Sequence, residues 1–409
     1  MKEKLQKYAK LLIEVGLNIN KGQNLIISSP IECAEFARMC ASAAYDAGCR
    51  EVIMNWKDDL SDRLKYLRAA DDVFDTYPEW RKIMLTEHVK GGGALLSIYA
   101  TDPENMAGVD PNRLSRFESV SGRALEEYRR LQMSNAVPWC VASVPIPSWA
   151  AKVFPQAEPD DAMNLLWDAI FKAVRISDGT DVVEEWRKHI DKLVERKDHL
   201  NKLNLKSLHY KNSIGTDLVV ELPEGHVWAA GSENAQTGQV FVANMPTEEI
   251  FTAPKRDGVN GVVASSMPFV KDGNIIENFR MTIKDGKIVD VQAEKGAEIL
   301  RNAIAVDEGA SYLGEVALVP YDSPISNTKI LFYNTLFDEN ASCHFAFGQA
   351  YPSSIKGGET MSKQELLLRG LNDSITHEDF MVGTADLSII GTTQDGKQIP
   401  IFVDGNFAF

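Results

Sequence analysis

The chain has 409 residues, 44% hydrophobic and 25% charged, with a net charge of −15 at pH 7. That profile fits an ordinary soluble globular protein with room for two domains. The acidic balance argues against nucleic acid or an anionic membrane as the main partner, and no apolar run is long enough to span a bilayer.

The opening segment Met1–Gly16 reads as an amphipathic helix with charges throughout. It lacks the apolar core and small-residue cleavage site of a signal peptide. The cysteines are Cys33, Cys40, Cys49, Cys140 and Cys343, an odd count with no Cys-x-x-Cys and mostly apolar neighbours. Reduced, buried thiols in a cytoplasmic protein are the expectation.

A short apolar strand, Asn24–Ser29, is followed by a helix over 31–47 and a strand Arg50–Trp56, a βαβ unit. Helical spacing returns at 59–70 and 78–90. The turn Gly91-Gly92-Gly93 leads into the strand Ala94–Tyr99, and a helix near 111–133 precedes the strand Trp139–Val144. This alternation predicts a doubly wound, mostly parallel sheet. No Gly-x-Gly-x-x-Gly follows the first strand, and Gly91–Gly93 precedes a strand, so neither place carries a phosphate cradle. Residues 160–204 are helical and mix charge signs, as a solvated connector does.

The pattern changes after about residue 204. Short strands are expected at 218–222, 227–230, 239–242 and 281–284, with one helix near 295–306. Hairpin turns are expected at Asp272-Gly273, Asp285-Gly286 and Asp395-Gly396. The expected organisation is an α/β N-terminal domain with a mostly parallel sheet over residues 1–203. A β-rich α+β C-terminal domain over 204–409 follows, and it carries the candidate metal site.

Five residues of this second part are candidate ligands: Glu249, Glu315, His344, His377 and Asp379. Three carboxylates and two imidazoles suit a pair of divalent ions such as zinc, cobalt or manganese. Singly each is weak, since acidic residues are usually solvated surface groups. Glu315 is an exception in its setting: Val316-Ala317-Leu318-Val319 reads as a buried strand, where a carboxylate is costly unless paired or metal-bound. His377 and Asp379, two apart on a strand, project to one face while Glu378 turns away. Without the other ligands, that segment would read as a polar edge strand. Cys343 adjoins His344, but adjacent residues of a strand face opposite ways, which disfavours a cysteine nucleophile.

At these residues the chain resembles the thermophilic-type metallo-aminopeptidases, aminopeptidases T and S. The resemblance runs nearly end to end. It includes Tyr8-Ala-x-Leu-Leu with Gly22-Gln23, Asn244-Met-Pro-Thr-Glu-Glu249, Tyr312-Leu-Gly-Glu315, His344-Phe-Ala-Phe-Gly348 and His377-x-Asp-Phe-Met-Val-Gly383. It implies removal of N-terminal residues from peptides with a free N-terminus, two divalent ions per subunit (cobalt, zinc or magnesium), and a homodimer. It also implies Glu249, Glu315, His344, His377 and Asp379 as ligands, with Tyr351 at or beside the ions. The expected mechanism gives the water proton to Glu315 and makes Tyr351 a donor to the oxyanion. Two alternatives are another two-metal hydrolase (an amidohydrolase or phosphoesterase) and an inactive binding protein. An amidohydrolase barrel would show an early His-x-His and eight βα repeats, both absent here.

Overall fold

The computed structural model describes residues 1–271 and 274–409, so the turn expected at Asp272-Gly273 lies outside the described residues. The chain forms two compact units. One comprises Met1–Asp191 with Ser232–Thr247, the other Lys192–Gly231 with Glu248–Phe409.

In chain order, the first unit holds β1 (Asn24–Pro30), β2 (Glu51–Lys57), β3 (Ala94–Tyr99) and β4 (Trp139–Ser143). The second takes β5 (Leu205–Lys211), β6 (Asp217–Glu221) and β7 (Ala229–Ala230). The chain returns to the first for β8 (Glu233–Asn234), β9 (Val240–Phe241) and β10 (Asn244–Met245). The second unit then continues with β11 (Ile250–Thr252), β12 (Val259–Ala264), β13 (Phe269–Lys271), β14 (Asn274–Ile276), β15 (Arg280–Lys284) and β16 (Lys287–Gln292). It closes with β17 (Leu313–Leu318), β18 (His344–Gly348), β19 (His377–Met381), β20 (Ser388–Thr393), β21 (Gln398–Val403) and β22 (Asn406–Phe407).

The first unit is built on a five-stranded sheet in the order β10-β4-β3-β1-β2. All its pairings are parallel, as the strand–helix alternation predicts. The helix Ala34–Asp46 between β1 and β2 buries Phe36, Ala37, Cys40 and Ala44, a stripe of helical period that covers the sheet. The helix expected near 111–133 is two helices, Pro111–Ala124 and Glu126–Met133. The chain leaves helical geometry at Leu125 (φ −98°, ψ 11°). The second of them brings Tyr128 and Leu131 onto a core cluster with Val137 and Trp139.

The second unit is antiparallel. An eight-stranded sheet runs β16-β15-β12-β6-β5-β20-β21-β22 and a five-stranded sheet β19-β18-β17-β11-β7. Asp285 and Gly286 both take left-handed conformations (φ 48° and 80°). They form the two-residue turn joining β15 and β16 that the Asp-Gly pair predicts. Leu208, Leu218, Val263, Phe345, Phe347 and Phe380 lie in one core cluster of this unit. All five cysteines are buried free thiols. Among the described residues, no helix is long and apolar enough to cross a membrane.

Candidate metal centre

The five-stranded sheet of the second unit explains how distant residues meet. In its register Glu315 of β17 faces Ala346 of β18, which faces Asp379 of β19. His344 lies two residues before Ala346, and His377 two before Asp379, so all four project from one face. Phe251 of β11 pairs with Ala317 of β17, and Glu249, two residues earlier, shares that face. The small residues Ala317 and Ala346 between the charged ones leave room above the sheet.

Two glycines shape this surface. The β17–β18 register shifts between Leu313 and Glu315, and a Cβ on Gly314 would lie 2.4 Å from the carbonyl oxygen of Gly348. Gly348 itself has φ 106°, and a Cβ there would lie 2.2 Å from the Thr376 carbonyl oxygen. Only glycine permits this close backbone packing, and the irregularity re-aims Glu315.

The side chains converge as the sequence predicts. His344 Nε2 lies 3.2 Å from Glu249 Oε2 and 3.7 Å from Glu315 Oε1. His377 Nε2 lies 3.3 Å from Glu315 Oε2 and 3.5 Å from Asp379 Oδ1. Two groups result, Glu249–Glu315–His344 and Glu315–His377–Asp379, each with ligand atoms within 4.8 Å of one another. Glu315 belongs to both.

The other ring nitrogens decide what this arrangement accepts. His344 Nδ1 sits 3.0 Å from the Ser342 carbonyl oxygen and His377 Nδ1 2.7 Å from that of Gln349. A carbonyl accepts only, so each Nδ1 carries a proton and each Nε2 faces carboxylate oxygens. A neutral Nε2 lone pair against two carboxylates is repulsive, so the centre calls for positive charge between them. Protons answer that call in part. Burial opposes charging His344, but hydrogen bonds to Glu249 and Glu315 hold it protonated well above the usual histidine range. At His377 burial is likewise outweighed, by the charge of Asp379 and by bonding to it and to Glu315. Against its own burial, bonding from His344 and His377 holds Glu315 down at about 2. A divalent ion supplies the same charge with the geometry that these nitrogen and oxygen donors suit.

Tyr351, half-buried, packs edge-on to the His377 ring with centroids 5.1 Å apart, and 5.6 Å from Phe251. Cys343 points away from the centre. Its sulfur donates to the Val319 carbonyl oxygen at 3.2 Å, and burial pushes its thiol up to about 12. That suits a structural thiol, not a nucleophile.

One acidic residue escaped the sequence reading. Glu339, 8% exposed, is raised well above the usual carboxylate range by burial and by the charges of Asp379 and Glu249. Its neighbour Asn340 accepts from the Glu248 N–H at 2.7 Å, which ties this segment to the one carrying Glu249. The only signal for it was an acidic pair, Asp338-Glu339, between Phe337 and Asn340. Glu378 turns to the opposite face, as expected, and pairs with Lys271 Nζ at 2.6 Å.

A family model described as thermophilic metalloprotease (M29) matches residues 1–407. The chain is 47% identical over 407 residues to aminopeptidase AmpS of Bacillus subtilis (strain 168), covering 100% of this chain and 99% of that protein. It is 45% identical to aminopeptidase 2 of Geobacillus stearothermophilus, covering 100% and 98%. The solved structure of wild-type AmpT from Thermus thermophilus, 37% identical, matches it with a TM-score of 0.92 over 100% of both chains. The chain belongs to the thermophilic metalloprotease (M29) family, as its ordered motifs imply.

Proposed function

We propose that the protein is an aminopeptidase that removes the N-terminal residue of peptides with the help of two divalent ions. The observation that carries this reading is the split of one carboxylate: Glu315 turns Oε1 to His344 and Oε2 to His377. Shared in this way, Glu315 would help to hold two ions, one together with Glu249 and His344 and the other together with His377 and Asp379. Bound divalent ions supply a water of lowered pKa and polarisation of the scissile carbonyl.

The chain's own residues do the rest. The carbonyls of Ser342 and Gln349 fix both histidine tautomers. With both its oxygens engaged, Glu315 is better placed to bridge than to carry the proton first assigned to it. We therefore give proton transfer to Glu339, a buried carboxylate in a turn that packs against β19 and is tied through Asn340 to the segment carrying Glu249. The Tyr351 hydroxyl donates to the developing oxyanion, with the Phe251 ring packed against the tyrosine. The names of the Bacillus subtilis and Geobacillus stearothermophilus relatives, both aminopeptidases, agree with this reading. A homodimer in the cytoplasm goes with it.

The test is release of the N-terminal residue from aminoacyl p-nitroanilides and short peptides, with N-acetylated substrates alongside. Metal-stripped protein should be inactive, and cobalt, zinc, manganese or magnesium should restore turnover that acetylation abolishes. No release with any of these ions, or equal cleavage of acetylated substrates, overturns the reading.

A further inference from the structure

The ion pair behind β19 is the part of this unit that the function above leaves unused. Lys271 Nζ lies 2.6 Å from Glu378 Oε1, and the two side chains are 10% and 19% exposed. Glu378 sits between His377 and Asp379 but on the reverse face, where it faces Phe347 across the β18–β19 ladder. The surroundings are aromatic. Phe269, two residues before Lys271, packs on Phe347 and Phe279, and Phe279 packs on Phe380.

An ion pair in such a place is a poor choice for stability alone. Desolvating both charges offsets most of their attraction, and apolar residues of the same volume often serve as well or better. What charge adds over an aromatic contact is a fixed distance and direction. Direction matters at β19, because it is the outermost strand of its sheet, with hydrogen-bonded strand pairing on the β18 side alone. On its reverse face it meets the antiparallel pair β13 and β14 through Lys271.

We propose that the Lys271–Glu378 pair is a positioning device for the metal centre: it grips the reverse face of β19 and so sets where His377 and Asp379 stand relative to Glu315. Neither residue touches an ion or substrate; they act through the strand. The proposal rests on the metal-centre reading. It predicts asymmetry, because the pair acts on β19 and not on β18 or on the segment before β11 that carries Glu249. Loss of the pair should loosen the ion at Glu315–His377–Asp379 and spare the one at Glu249–Glu315–His344.

The experiment is a stepwise cobalt titration of the metal-stripped protein, followed by calorimetry and by cobalt absorbance, with thermal melting recorded on the same samples. His377→Ala identifies which binding step belongs to β19. Glu378→Gln and Lys271→Met should each weaken that step by about ten- to a hundred-fold, the range for groups that orient ligands without touching the metal. The other step should stay within about two-fold. The double variant Lys271→Met/Glu378→Leu separates positioning from stability. Removing both charges should restore the melting temperature that a single variant lowers, while the weakened cobalt step stays weak. Recovery of cobalt affinity together with the melting temperature overturns the proposal, as does equal weakening of both steps or of neither. A wild-type protein that binds no cobalt would instead sink the metal-centre reading itself.

Discussion

In the five-stranded sheet of the first unit, β1 carries Leu25, Ile26 and Ile27 in succession, all buried. In the five-stranded sheet of the second, β18 places Phe345 and Phe347 on one face and His344 and Ala346 on the other. The first sheet is parallel and reads as a run of apolar residues, as strands covered on both faces do. The second is antiparallel and buries both faces too, but gives one of them to charge. Its buried polar residues are Glu315 and His344, with Glu249 just before β11, and Thr252, whose hydroxyl donates to the Val227 carbonyl at 2.9 Å. In the parallel sheet they are Ser29 and Ser143, whose hydroxyls donate to the carbonyls of Pro30 and Tyr99. A hydroxyl satisfied by its own backbone fits a core; a carboxylate needs a cation.

That contrast predicts where substitutions hurt. The largest effect is expected for Glu315→Gln, which keeps shape and removes the shared charge. If bound ions supply several kcal/mol of transition-state stabilisation, kcat/KM should fall by about 10³–10⁴-fold. Ser29→Ala in the first sheet should leave it within about two-fold. Steady-state kinetics on an aminoacyl anilide checks both. Near-normal turnover in Glu315→Gln would reduce the charged face to a structural feature.

The reverse face of β18 should behave like the parallel sheet. Phe345 is fully buried, with ring centroids 5.0 Å from Tyr210 and 6.0 Å from Phe380. Phe345→Ala should cost about 3–5 kcal/mol of stability, and Leu96→Ala in β3 about 2–5. Denaturant unfolding measures both. A cost below about 1 kcal/mol for Phe345→Ala would mean that the aromatic face does not act as a core.

Tyr351→Phe probes the rim of the centre. Loss of an oxyanion donor costs about 10²–10³ in kcat, while cobalt affinity should not change. A variant with full kcat would return Tyr351 to a packing role against His377 and Phe251.

The same contrast explains what was legible beforehand. The parallel sheet announced itself through apolar runs and helical stripes, because local pattern dictates both. The candidate centre was legible because its residues lie in distinctive short blocks and because a carboxylate in a buried strand, as at Glu315, is costly without a partner. The sharing of Glu315 was not, since it depends on the register of β17, β18 and β19 and on the irregularity at Gly314. Glu339 was missed because an Asp-Glu pair has no period and no spacing to mark it. The strands β5 and β12 were missed as well. Gly261 interrupts β12, and both strands are stabilised by pairing in the eight-stranded sheet, not by local propensity.

The smallest expected effect tests whether a buried carboxylate without an imidazole behaves differently from Glu315. Asp338, 3% exposed, accepts from the N–H groups of Phe332 at 2.8 Å and Asn334 at 3.0 Å. Burial pushes its carboxyl up to about 7 from 3.8, against the pull of those donors. The folded state therefore holds a proton that the unfolded chain releases between those two values. The stability this contributes is full below pH 3.8 and lost as pH rises towards about 7, with a slope of at most about 1.4 kcal/mol per pH unit. Asp338→Asn removes the titration and keeps one acceptor oxygen. Between pH 7 and pH 5 the wild type should thus gain on the variant by about 2 kcal/mol. Melting curves of both proteins at pH 5, 6 and 7 would show it as a widening gap. Parallel curves would mean that Asp338 is ionised throughout, so that backbone donors alone can hold a buried carboxylate as the histidines hold Glu315.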